Sequence, residues 1–161
     1  MDNEHKLTRQ EALEELGRYG IHGTQVYLID LVPMIEMMWA DELIQDIEIA
    51  ILDHYVKHHV ERINSAAEYP VLTANEARAF VTKFIKERPD PEYLHALRLL
   101  IVPIRLSSPD PEENRAIREF ILSGCLDIGS GAVTHYPYQL TERFDSAEKR
   151  CFFDIVESLW R

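Results

Sequence analysis

Cysteine is scarce: the chain has two, Cys125 and Cys151, far apart in sequence. That excludes a Cys-x-x-Cys metal knuckle or redox pair and predicts free thiols in a reducing compartment, hence a cytoplasmic protein. Basic residues are also few. Seventeen Lys and Arg against 28 Asp and Glu give a formal charge of −11, which repels nucleic-acid phosphates and anionic lipid, and no local basic patch offsets it. Nucleic acid is therefore not an expected partner. There is no long hydrophobic run: Leu31 to Ala40, the longest, is broken by Pro33 and Glu36 and is too short to span a bilayer. Met1 to Gly17 is charged and polar, without the basic-then-apolar order of a signal peptide. Alternation of apolar and polar residues, the mark of a half-buried strand, is missing as well.

What is present is helical periodicity on a chain of 161 residues, 46% of them apolar, enough for one core and one domain over residues 1–161. Thr8 to Tyr19 carries Ala12, Leu13 and Leu16 at helical spacing. Gln25 to Ala40 is apolar around the whole wheel, which predicts a central helix, capped by Thr24 and kinked at Pro33. Ile47 to Ile63 has two apolar stripes, one through Ile49, Leu52, Val56, Val60 and Ile63, the other through Ile47, Ile51, His54 and His58. Asn75 to Glu87 is a further helix. Asp90-Pro91-Glu92 and Asp110-Pro111-Glu112 are paired start signals, with Asp as cap, Pro in the first helical position and Glu at the positive end of the dipole. They open helices over Pro91 to Leu106 and Pro111 to Ile128, the second ended by Gly129-Ser130-Gly131. Asp145-Ser146-Ala147-Glu148 opens a terminal helix through Leu159. The expectation is an all-α bundle of about seven helices.

Several residues invite a chemical reading. Asp41 ends one apolar helix and Glu48 begins the next, so their oxygens can be aimed into one turn, as hard divalent cations require. The alternative is capping and dipole complementarity. Glu36, inside the most apolar helix, must be paired, metal-bound or protonated, because an unpaired buried charge costs several kcal/mol. Arg98 and Arg105 are candidate partners. His54 and His58 stand four apart with Glu61 a turn further, a spacing that suits a transition metal; the competing and preferred reading is partly buried histidines hydrogen-bonded to a neighbouring helix. Glu92-Tyr93-Leu94-His95 matches half of a di-iron signature that needs two such pairs. No complete catalytic set is legible.

The joint from Ala40-Asp41-Glu42 to Glu48 resembles the hallmark of the tellurite-resistance TerB-like family, an apolar helix ending in Ala-Asp-Gly with a Glu seven residues after the Asp. Glu42 replaces that Gly here. The resemblance covers Tyr27 to Ile63 and implies an all-helical fold of two related halves with clustered acids that hold a divalent metal ion. Cys125-Leu126-Asp127 ends its helix as Trp39-Ala40-Asp41 does, and Glu148 lies early in the next helix as Glu48 does. The implied ligand set is therefore Asp41, Glu48, Asp127 and Glu148, and the implied function is a non-catalytic metal-binding module in stress response or scaffolding, with protein partners. The rival expectations are a metal-dependent hydrolase or oxidoreductase built on His54 and His58, and a plain protein-interaction domain.

Overall fold

The computed structural model describes residues 6–40, 44–131 and 146–160. Eight α-helices and one 3-10 helix occur among them: α1 (Arg9–Arg18), the 3-10 segment (Gly23–Leu31), α2 (Val32–Trp39), α3 (Asp46–Ala67), α4 (Ala74–Lys86), α5 (Pro91–Leu99), α6 (Ile101–Arg105), α7 (Pro111–Gly131) and α8 (Ser146–Leu159). No strand occurs among the described residues, and none of their helices is long and apolar enough to cross a membrane. The all-α expectation holds.

The local signals act as their chemistry requires. Thr8 and Glu11 close a capping box at α1, the Glu11 N–H donating to Thr8 Oγ1 at 3.1 Å and the Thr8 N–H to Glu11 Oε1 at 2.9 Å. Asp90 and Asp110 each accept the N–H of the residue two further on, at 3.0 Å.

Three expected boundaries are corrected by prolines and by packing. The apolar stretch Gln25 to Ala40 is not one kinked helix: a 3-10 run ends at Leu31, and Pro33 falls in the first turn of α2. A first-turn residue has no intrahelical acceptor for its N–H, so proline costs nothing there. The same logic divides Pro91 to Leu106. The helix breaks at Leu100 and restarts as α6, which puts Pro103 within a new first turn. At the far end of α7, Gly129-Ser130-Gly131 continues the helix instead of ending it. Gly129 and Ser130 are buried, and the Ser130 hydroxyl donates back to the Asp127 carbonyl at 3.3 Å.

α2 is the centre of the bundle. Val32, Met34, Ile35, Met37 and Met38 are all fully buried, and α2 packs against α4, α5, α7 and α8. It meets α7 at Gly124, where an added Cβ would lie 2.3 Å from Met34 Cε and 2.6 Å from Met34 Sδ. α7 also packs along α3. Tyr55 reaches Asp127 and His59 stacks on Phe120, so rising numbers on α3 meet falling numbers on α7 and the two helices run antiparallel. Trp39 is half-buried, its indole N–H donating to the Phe84 carbonyl at 2.9 Å.

Candidate functional site

The acids of the sequence motif separate into three environments. Glu48 is the third residue of α3 and has 0% of its surface exposed. The Gln45 N–H donates to its Oε1 at 2.8 Å, a helix-start contact that lets a carboxylate be buried beside the positive end of the dipole. Glu148 is the third residue of α8 and is 2% exposed. Asp127, by contrast, lies on the exposed side of α7 and accepts a hydrogen bond from the Tyr55 hydroxyl. Burial, and then this carboxylate, push the Tyr55 hydroxyl well above the usual phenol range. Asp41 and Glu42 lie outside the described residues. Among the described residues, no three or more His, Cys, Asp or Glu converge in a group that could hold a metal. The fold therefore takes Glu48 and Glu148 inside and turns Asp127 outward.

His54 and His58 are exposed, with ring centroids 4.8 Å apart and no bond to a neighbouring helix among the described residues. In the second stripe of α3, Ile47 is 41% exposed and Ile51 is half-buried against the core. The expectation of partly buried histidines is thus corrected, because the fully covered side of α3 is the one carrying Glu48, Leu52, Val56, His59 and Val60. Glu92-x-x-His95 is likewise local structure, with Glu92 in the first turn of α5 and His95 Nδ1 accepting from Arg98 Nη2 at 2.5 Å.

Two buried charge centres take the place of the histidine stripe. In the first, Asp30 of the 3-10 segment is 1% exposed and is held by Arg105 of α6, whose Nε lies 3.1 Å from both carboxylate oxygens and whose Nη2 lies 3.1 Å from Oδ2. Such a fork matches carboxylate geometry and compensates the desolvation of both ions. His59 stands beside them, its Nε2 donating to the Tyr27 carbonyl at 2.6 Å. Burial lowers its pKa, opposed by Asp30 and the Tyr27 carbonyl and assisted by Arg105 and Arg62. The ring is therefore neutral at pH 7, and its 3.8 Å separation from Asp30 is not an ion pair.

The second centre is Glu36 of α2 with Arg98 of α5, Nη1 to Oε2 at 3.5 Å. Glu36 Oε1 and Arg98 Nε are buried without a hydrogen-bond partner among the described residues. Burial raises the Glu36 pKa to about 7, Arg98 pulling it down and Asp154 adding to the rise. Two thiols lie in the same field. Cys125 is pushed far up by burial, and Cys151 to about 12, so both stay protonated and neither is an activated nucleophile. A cleft of about 180 Å³ opens beside Glu36, Trp39, Leu94 and Cys151.

Arg98 was one of two partners that the sequence offered Glu36. Asp30 was legible by the same cost argument, since it too sits in an apolar run, but helical spacing does not reveal that Arg105 reaches it across 75 residues. Bundle and buried charges together define an all-helical, single-core protein with paired ionic centres. No family model, no curated protein and no solved structure matches this chain.

Proposed function

We propose that the protein is a non-catalytic helical module that binds a divalent cation where α2 gives way to α3 and α7 to α8, with Glu48 and Glu148 as its central oxygen ligands. The observation that carries this reading is their matched burial, at 0% and 2% exposure, each as the third residue of its helix. Taking a carboxylate out of water costs several kcal/mol unless charge or hydrogen bonds compensate it. The helix dipole and the Gln45 N–H contribute to that compensation at Glu48. Ca²⁺ and Mg²⁺ favour oxygen donors, which fits the chemistry of these two side chains. Asp41, seven residues before Glu48, has the spacing to contribute. Asp127 contributes only by leaving Tyr55. The cation would act by linking two helix joints electrostatically, and the stress-response or scaffold role rests on the resemblance of the joint motif.

Thermal or urea midpoints measured after chelation and again with added calcium, magnesium, manganese or zinc test the reading. An ion that binds only the folded chain stabilises it by about 2.7 kcal/mol at a hundredfold excess over Kd. That shift should disappear in Glu48→Gln/Glu148→Gln and persist in His54→Ala/His58→Ala. If no ion moves the wild-type midpoint, Glu48 and Glu148 are helix-start residues alone and the cation reading fails.

A further inference from the structure

A groove of about 660 Å³ lies between the C-terminal half of α3 and the N-terminal half of α7, a volume typical of sites for small organic ligands. On α3 it begins at His59, eleven residues beyond Glu48, or roughly 16 Å along the helix axis, so it is distinct from the helix joints. Ala66, Ala67 and Ala116 line it and leave the space that longer side chains would fill. Ile63, Ile117 and Phe120 make its walls apolar.

Two guanidinium groups face this space. Arg105 uses Nε and Nη2 on Asp30, which leaves the N–H bonds of Nη1 without a partner among the described residues. Its carbon lies 5.1 Å from the Tyr27 ring centroid, and its side chain is only 13% exposed. Arg62, exposed to solvent, lies 5.1 Å from the Phe120 ring centroid, on a ring that also stacks with His59, and no carboxylate pairs with it among the described residues. Three acids line the groove: Asp30, and Glu61 and Glu113, which are exposed to solvent, Glu113 accepting from the Ser108 hydroxyl at 3.0 Å. Asp30 is already spent on Arg105. Guanidinium donors beside aromatic rings recognise planar or tetrahedral oxyanions.

We propose that this groove binds a small organic anion, with its carboxylate or phosphate monoester group on Arg105 and Arg62 and its apolar body against Ile63, Ile117 and Phe120. Both anions share the chemistry of a charged oxygen cluster on an apolar body, so phenylacetate and phenyl phosphate serve as separate probes, with benzylamine as the control of opposite charge. Calorimetric titration of the full chain at low salt should show saturable binding of one or both anions, and whichever binds more tightly names the head group. Arg62→Gln should weaken the tighter probe about tenfold. Ala116→Trp should abolish binding while keeping the wild-type thermal midpoint. Should that variant lose stability, Ala66→Trp, on the opposite wall and also exposed, replaces it. Arg105 is left intact in every variant because its removal strands Asp30. The proposal is overturned if neither anion binds at up to about 10 mM, if benzylamine binds as well as they do, if Arg62→Gln binds like wild type, or if binding survives a folded tryptophan variant. None of these outcomes depends on added cations, so the groove and the cation site stand or fall separately.

Discussion

Glu36 and His59 are both buried, and burial moves their protonation in opposite directions. For Glu36, the folded pKa of about 7 lies above the ordinary glutamate value of 4.5, so between those values the folded chain binds more protons than the unfolded one. Its contribution is full below pH 4.5 and is lost as pH rises through 7, by roughly 3 kcal/mol. For His59 the folded pKa lies below 6.5, so the unfolded chain binds more protons there, and stability falls as pH drops below 6.5. Urea denaturation from pH 5 to 8 should therefore show a decline toward alkaline pH that Glu36→Gln removes. That amide imitates the protonated acid beside Arg98. A variant that keeps the wild-type slope would mean that Glu36 is ionised throughout, with Arg98 compensating it in full.

At the scale of elements, the α2–α7 contact depends on one missing side chain. A Cβ at position 124 would strike the end of Met34 at 2.3 and 2.6 Å and its Cγ at 3.1 Å. Bending the Met34 tip relieves the first two contacts but not the third, because Cγ is tied to the α2 backbone. Overpacking of this kind costs about 1–3 kcal/mol, and the better helix propensity of alanine returns at most about 1 kcal/mol. Gly124→Ala should lower the urea midpoint by a net loss of about 1–2 kcal/mol, and Met34→Ala should cancel much of that added cost in a double-mutant cycle. Equal losses in both backgrounds would mean that the helices already stand further apart. Helix existence was readable here from capping boxes and apolar spacing, and helix ends were not. Pro33 and Pro103 needed first turns to sit in, and Gly129 and Ser130 stay helical because α7 carries them into the core.

For the whole molecule, α2 and α7 form the centre to which the other helices add. Far-UV circular dichroism should be helix-dominated, and amide exchange should be slowest in α2 and in α7 around Ile121 and Cys125, where side chains are 0% exposed. Exchange as fast there as in α1 would place the stable core elsewhere. The sequence by itself determined the helical class, the single core, the start of most helices and the need for Glu36 to have a partner, because periodicity, capping and burial cost are properties of neighbouring residues. It did not determine which stripe of α3 would be covered. Both stripes carry apolar residues, and only the positions of α4 and α7 decided that His59 goes inside while His54 and His58 stay in water. Nor did it pair Asp30 with Arg105, bury Glu148 while exposing Asp127, or open the groove beside Arg62. Each of those depends on contacts between segments tens of residues apart, and such contacts are chosen by the packing of the whole chain.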